Sequence, residues 1–492
     1  MVEDSHHPPA PEGAEKFKIG FETYLSPYSY RYGTPEMQKI WSQENYWLKV
    51  RDVQIAVAEA QQAAGIVSKE QVDDLKKHRE ELSVERILYF ENQIGHDVGG
   101  SIKHFSEVAL KGGEILNNGM TSEDSLSNVE IMQIQESFEL IRPKVVNTLE
   151  AFGGQIDKYK DLVCMGYSHL QAAEPITMGY RFAKYTRDLL DDLEVLDMIR
   201  PLIKGKGIKG AVGTSASFMD ILKETGMSAE EHERRVMEKL GLDFVSISDQ
   251  TYPRKFLFLT EFVLSNISQS LHHFALDLQV LQSSFVDEVS EPRRKKQMAS
   301  SAMPHKRNPI NSENIDSITE NLPGQAFSAW MVGAFVTLER TLRDSAGKRS
   351  WLPESFLIVD EALKRAEKVA SGLVVHENSV RTNLKRFAPF CVTEIILGRL
   401  TKAGMDRNEA YDILYEHAEK AVEATRSGLP NPMKKLVLDD ERITSLLGKK
   451  DVEQAFEEIF HHVGDAPQKC VDFLNKELYP AIGKKRGENY VG

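Results

Sequence analysis

One polar segment of the chain combines residue types that suit proton transfer and anion binding. The stretch 299–314, ASSAMPHKRNPINSEN, places two serines, a lysine and an Asn-Pro within ten residues, and the basic run 293–296 precedes it. A serine hydroxyl acts as a base or nucleophile only when neighbouring cations or amides activate it, and Lys306 could do so. The same residue types are common in polar turns between helices, so composition alone leaves both readings open.

Two other motif-like segments lack the context that their chemistry requires. Residues 205–210, GKGIKG, satisfy GxGxxG, but a dinucleotide site needs a preceding strand in a βαβ unit, and here the preceding pattern is helical. We interpret this segment as a flexible loop between helices. The sequence contains no HExxH, EF-hand or Cys/His cluster at ligand spacing, and neither His272-His273 nor His461-His462 could direct both rings to one helix face. We therefore expect no metal site.

Composition and charge exclude several classes of protein. The 492 residues are 41% hydrophobic and 27% charged, as in a soluble globular protein. A net charge of −13 disfavours a nucleic-acid binder, which needs a basic face. No apolar run is long enough to span a membrane, and the first twenty residues lack the apolar core of a secretion signal. We expect a cytoplasmic protein whose three cysteines are reduced.

Amphipathic periodicity predicts an all-α fold, because alternating strand-like runs are scarce. The region between Pro253 and Pro292 contains no Gly or Pro, and its apolar spacing predicts one helix over 254–291. Further long helices are predicted near 124–150 and 173–202, kinked or ended by Pro143 and Pro201. The predicted domains are a disordered tail (1–20), an N-terminal helical domain (21–121), a central long-helix bundle (122–375) and a C-terminal helical domain (376–492).

Residues 300–309 match the signature loop of the fumarase/aspartase superfamily, S-S-x-M-P-x-K-x-N-P, at every fixed position. Further segments resemble the same superfamily in the same chain order: Arg31-Tyr32, His96-Asp97-Val98, Gly119 to Ser122, His169-Leu170-Gln171 with Ala173, Thr177 and Gly179 as a helix start, Gln250-Thr251-Tyr252, and Glu339 to Leu342 with Ser345 and Arg349. The resemblance therefore runs from near the start of the chain to beyond residue 350. It outweighs the reading of 299–314 as an ordinary turn.

The resemblance implies a function and an assembly. Members similar to this chain release fumarate from a succinyl-substituted purine nucleotide by acid–base elimination, with neither a metal nor an organic cofactor. Their long central helices form a homotetramer in which each active site draws segments from three chains. The predicted helix over 254–291 is consistent with this, because one chain alone would struggle to cover so long an apolar surface.

The resemblance also implies a role for each matching residue. Ser300 corresponds to the general base and His169 to the general acid, with Lys306 and Asn308 beside the substrate carboxylate. The remaining matches correspond to substrate-binding positions: Thr121 and Ser122 for a succinyl carboxylate, Arg31, Tyr32, Arg340 and Arg349 for the phosphate, and His96, Asp97, Gln250 and Ser345 for holding or orienting the nucleotide.

Some positions depart from the superfamily pattern, and these departures concern the choice of substrate more than the reaction class. Ala299 and Gly95 stand where many members carry Gly and Arg, Ala172 and Glu174 replace Pro and Gln, and Ser215 replaces Gln in some members. One alternative is a member that cleaves argininosuccinate or resembles a cycloisomerase. The other alternative is a non-catalytic helical scaffold with the same fold, for which an assay of fumarate release is the discriminating test.

Overall fold

The computed structural model describes residues 19–295, 297–298 and 300–486. The first eighteen residues of the predicted tail, Lys296 of the basic run and Ala299 of the signature loop lie outside the described residues. The described chain consists of α-helices and short 3-10 and π turns, with only four short strands, so the predicted all-α class is confirmed.

The described residues form twenty α-helices. They are α1 Pro35–Ile40, α2 Gln43–Ala63, α3 Lys69–Lys77, α4 Val84–Ile94, α5 Asp97–Val108, α6 Ser122–Tyr159, α7 Met178–Ile199, α8 Ala216–Leu222, α9 Ala229–Leu240, α10 Lys255–Gln282, α11 Ile310–Thr319, α12 Leu322–Ala334, α13 Ser345–Gly372, α14 Glu377–Lys402, α15 Arg407–Arg426, α16 Met433–Asp439, α17 Glu441–Leu447, α18 Lys449–Glu458, α19 Ala466–Phe473 and α20 Tyr479–Ala481. Strands β1 Val163–Ser168 and β2 Gln171–Thr177 pair antiparallel, as do β3 Val289–Ser290 and β4 Val374–Val375.

Two predicted helix boundaries need correction. Helix α10 ends at Gln282 instead of residue 291, because the chain turns at the polar residues that follow, with Asp287 at φ 50°, and then forms β3. Residues 173–177 belong to β2 and not to a helix, because they pair with β1. Pro143 lies inside the 38-residue α6 without ending it, whereas Pro201 follows the end of α7 in a 3-10 turn.

Backbone contacts divide the chain into two compact units. Unit 1 contains the described residues up to 144, 192–269 and 318–363. Its core packs α2 against α6, α8 and α9 through Val53, Val129, Phe218 and Val236. Unit 2 contains the described residues of 145–191, of 270–317 and from 364 to 486, and Met165 of β1 packs within the core of its C-terminal helices. The domain boundaries at 20, 121 and 375 stay a prediction.

The helices of the described residues were also compared with the requirements of a membrane span. None of them is both long enough and apolar enough to cross a bilayer.

Candidate active site

A cavity of about 510 Å³ in unit 1 brings together predicted site residues from distant parts of the sequence. The N-terminal turns of α5 and α6 and the segment 340–353 form much of its lining. Gln250 adjoins this set, since its Oε1 accepts a hydrogen bond from Arg340 Nη1 at 3.0 Å, and Thr121 precedes Ser122 in the chain. The predicted residues that line the cavity directly are His96, Asp97, Ser122, Arg340, Ser345 and Arg349.

His96 occupies the N-cap position of α5, which fixes its orientation. Its Nδ1 accepts a hydrogen bond from the Gly99 N–H at 3.1 Å, so the proton of the neutral imidazole resides on Nε2. Nε2 lies 3.3 Å from Ser122 Oγ and can donate to it. The next residue, Asp97, accepts a hydrogen bond from Arg349 Nη2 at 2.7 Å, which joins α5 to α13.

A buried network of charged side chains links the segments around the cavity. Arg254 lies 2.7 Å from Asp344, 3.4 Å from Glu130 and 3.7 Å from Glu123. Glu123 in turn bonds Arg340 at 2.7 Å, and Lys348 lies 2.9 Å from Glu130. Burial disfavours ionised Asp344, but Arg254 and Lys348 outweigh it and lower the pKa of that carboxyl. The sequence analysis missed this network, because its members are up to 225 residues apart and all except Arg340 match no motif.

The GxGxxG segment belongs to the structural support of this cavity. Asp124 Oδ1 accepts from Lys206 Nζ and from the N–H groups of Lys209 and Gly210, while Oδ2 accepts from the Thr121 N–H at 2.9 Å. The segment is a loop between helices, as predicted, and it does not belong to a βαβ unit; all six residues 205–210 are buried. The segment therefore holds the backbone that presents Thr121 and Ser122.

The charge of the unit 1 cavity does not by itself favour an anionic ligand. Its lining contains five carboxylates and only three Lys or Arg side chains. Arg31 and Tyr32 are not part of this lining. Their segment is tied to α13 instead, where the Thr34 N–H donates to Asp360 at 2.7 Å.

His169 lies in unit 2 at the tip of the β1–β2 hairpin. His169 and Leu170 form the two-residue turn, both with positive φ (52° and 58°), as in a type I′ turn. The expected helix start was wrong, because β2 intervenes and α7 begins only at Met178. Non-glycine residues with positive φ are uncommon and cluster at functional sites, and the His169 side chain is exposed to solvent.

The signature loop also lies in unit 2. Ser300 Oγ accepts a hydrogen bond from the Met303 N–H at 3.1 Å, and the Lys306 N–H donates to the Met303 carbonyl at 3.0 Å. Residues 301–307 are exposed, and Asn308 is half-buried. The sequence 292–312 contains six Lys or Arg residues and no Asp or Glu. This segment is therefore strongly cationic, and Arg293, Arg294, Lys295, Lys306 and Arg307 are all exposed.

Known proteins resemble the chain in sequence over nearly its whole length. A family model described as lyase matches residues 29–324, and one described as adenylosuccinate lyase C-terminus matches residues 389–473. Adenylosuccinate lyase of Schistosoma mansoni is 33% identical, over 94% of this chain and 96% of the relative. That of Pyrococcus horikoshii is 32% identical, over 92% and 98% respectively. The chain belongs to the adenylosuccinate lyase family.

Solved structures of proteins with lower sequence identity share the fold. A fumarate lyase from Mesorhizobium sp. BNC1 superposes with a TM-score of 0.79 at 22% identity, covering 92% of this chain and all of that one. A 3-carboxy-cis,cis-muconate lactonizing enzyme from Pseudomonas putida gives 0.80 at 21% identity, covering 93% and 99%. At these identities the likeness shows the fold only.

One departure from the family pattern has a structural explanation. Gly95 ends α4 in the left-handed conformation, at φ 71°, and lines the cavity beside His96. An added Cβ would meet no atom within 4 Å, so space does not exclude a side chain there. The backbone conformation does disfavour one, because side chains rarely accompany this φ.

Proposed function

We propose that this member of the adenylosuccinate lyase family converts adenylosuccinate to AMP and fumarate by acid–base elimination. We propose the same reaction for succinylaminoimidazole carboxamide ribotide (SAICAR), giving AICAR, as a further step of purine nucleotide biosynthesis. The observation that carries the proposal is the meeting of His96, Asp97, Ser122, Arg340, Ser345 and Arg349 around one cavity in a chain with this family membership.

In the proposed reaction, Ser300 removes the proton next to a succinyl carboxylate and His169 protonates the departing nitrogen. A positioned base and a positioned acid each contribute about 10²–10⁴-fold. Lys306 and Asn308 stabilise the charge that develops on the carboxylate, since fixed cations and amides act most strongly where charge appears. Thr121 and Ser122 hold a carboxylate of the substrate.

Nucleotide binding is assigned to Arg31, Tyr32, Arg340 and Arg349 at the phosphate, with His96, Asp97, Gln250 and Ser345 holding or orienting the substrate. The planar guanidinium of arginine matches phosphate oxygens in a two-point contact. Arg349 is well placed for this role, because its side chain is 61% exposed although one nitrogen is fixed by Asp97. Most of its donors therefore remain available to a ligand.

We further propose a homotetramer in which each active site combines the cavity of one chain with the signature loop of another. A phosphate and two carboxylates require positive charge, which the carboxylate-rich lining lacks. The cationic segment 292–312 of another chain would supply it.

An exposed apolar face of α10 also supports assembly. Phe262, Leu276 and Val280 of α10 are 41–43% exposed. They lie on one face, because spacings of 14 and 18 residues are close to whole numbers of helical turns. Such a face suits helix packing between chains.

The proposed chemistry needs only proton carriers and fixed charges, so we propose that it proceeds without a metal or organic cofactor. We also propose that the protein acts in the cytoplasm. Among the described residues, no group of three or more His, Cys, Asp or Glu side chains is arranged to hold a metal ion.

The direct test is to incubate the purified protein separately with adenylosuccinate, SAICAR and argininosuccinate and to measure fumarate. We expect fumarate from the first two substrates only. Release from argininosuccinate alone would favour the alternative family member, and release from none would favour the scaffold. Light scattering of the same sample, with four chains expected, tests the assembly independently.

A further inference from the structure

One carboxylate joins the two ends of the signature loop. Glu291, whose side chain is buried, enters the loop, and Asn311 and Ser312 leave it in the first turn of α11. Glu291 Oε2 accepts from the Asn311 N–H at 3.0 Å and from Asn311 Nδ2 at 2.8 Å. Oε1 accepts from the Ser312 N–H and from Ser312 Oγ, both at 2.6 Å. Four donors therefore converge on one side chain.

Further hydrogen bonds around Glu291 also hold the ends of the loop together. Its own N–H donates to Gln282 Oε1 at 2.8 Å, and Gln282 Nε2 donates to the Arg307 carbonyl at 3.0 Å. Gln282 is the last residue of α10, so the loop is fastened to the end of a long helix. A carboxylate is also favoured at the N-terminus of α11, where backbone N–H groups and the helix dipole attract negative charge.

We propose that Glu291 is a positioning residue for Ser300, acting through both ends of the loop that carries it. The inference rests on the proposed role of Ser300 as the base. A carboxylate is the side chain that this environment requires, because an ionised glutamate accepts at both oxygens, whereas a glutamine presents an NH₂ that would face either the Asn311 or the Ser312 donors. Loss of the hydrogen bonds to Glu291 would release both ends of the loop and displace the Ser300 hydroxyl.

The test compares Glu291→Gln with Glu150→Gln, a control in the same unit that pairs with Lys484 and has a side chain with only 5% exposure. For Glu291→Gln, we expect kcat for fumarate release to fall about 10- to 100-fold with KM changed less than about threefold, because small misplacements affect the chemical step most. Cleavage by trypsin after Arg294 or Arg307 should accelerate in this variant only, since a loosened segment opens more often.

Wild-type kcat in Glu291→Gln, or an equal loss in Glu150→Gln, would overturn the proposal. If Glu291→Gln fails to fold, Ser312→Ala takes its place, because it removes one of the four hydrogen bonds and leaves the carboxylate. Ser312→Ala should lower kcat about two- to tenfold, in keeping with the net strength of one hydrogen bond. An unchanged kcat would contradict the positioning role of Glu291. If wild-type protein releases no fumarate, the proposed function fails, while the trypsin comparison still decides whether Glu291 holds the loop.

Discussion

His96 Nε2 lies 3.3 Å from Ser122 Oγ, while Nδ1 of the same ring caps α5 by accepting the Gly99 N–H. One side chain thus starts a helix and orients a hydroxyl on the first turn of another helix. The two contacts use different nitrogens and can be separated by mutation.

His96→Asn separates them, because asparagine is a good N-cap but cannot extend to Ser122. We expect the variant to fold with wild-type thermal stability to within about 1 kcal/mol, the usual size of a cap effect. KM for adenylosuccinate should rise about tenfold, the equivalent of one hydrogen bond of about 1.4 kcal/mol. Steady-state kinetics and thermal unfolding measure the two effects; a wild-type KM would contradict the orienting role.

Ser300→Ala and Ser301→Ala test which hydroxyl of the Ser-Ser pair is the base. Removing Ser300 should lower kcat by about 10²–10⁴-fold, as expected for loss of a general base, while Ser301→Ala stays within about threefold of wild type. Circular dichroism should show the same helical content in both. A larger loss of kcat in Ser301→Ala than in Ser300→Ala would identify Ser301 as the base.

His169→Asn tests the proposed acid. We expect it to lower kcat by about 10²–10⁴-fold, as for loss of the base.

The fold class was predictable because periodicity of apolar residues is local. The α10 helix illustrates both the success and its limit: its start at Lys255 follows Pro253, but its end at Gln282 has no Gly or Pro to mark it. The hairpin around His169 was missed for a related reason. Its strands are held by pairing with each other and by packing of Met165 among C-terminal helices, and neither interaction leaves a local pattern.

Motif spacing predicted which residues to place in the candidate site, but not what supports them. Arg340 was predicted from the motif, whereas its partner Glu123 was not, although it directly follows Ser122. Lys206 was noticed only within a misleading GxGxxG match. Its pairing with Asp124 depends on the tertiary fold, which brings residues 82 positions apart together.

Arg254 provides a further prediction, because it joins the segment after Gln250 to those carrying Ser122 and Ser345. Arg254→Met leaves several carboxylates without their buried partner and should destabilise the protein by about 3–5 kcal/mol. It should also raise KM for adenylosuccinate at least about tenfold, equivalent to 1.4 kcal/mol, because the segments that bind the nucleotide lose their common link. Arg254→Lys should recover part of the affinity.

Arg51→Met is the matched control for Arg254→Met. Arg51 is also buried in unit 1, but its Nη1 donates to the backbone carbonyls of His78, Arg79 and Glu81, away from the cavity. Urea unfolding should show that both variants are destabilised, and kinetics should show a raised KM only for Arg254→Met. Equal KM values in the two variants would show that Arg254 has only a structural role.

Glu261 predicts how stability depends on pH. This glutamate of α10 is fully buried, and burial raises the pKa of its carboxyl from 4.5 to about 8. The folded protein therefore holds a proton that the unfolded chain releases above about pH 4.5. Stability from this group is fully present below pH 4.5, falls as pH rises, and changes little above pH 8.

Glu261→Gln removes this titration while keeping the shape of the side chain. The free energy of unfolding of the variant minus that of wild type should increase by at most about 1.4 kcal/mol for each pH unit between 4.5 and 8. Above pH 8 this difference should stay constant. Urea unfolding from pH 5 to 9 at one fixed protein concentration measures it, because assembly makes apparent stability depend on concentration. The carboxyls whose pKa values are lowered, such as that of Asp344, are common to both proteins and cancel in the difference. Parallel stability curves for the two proteins would mean that Glu261 is already ionised in the fold.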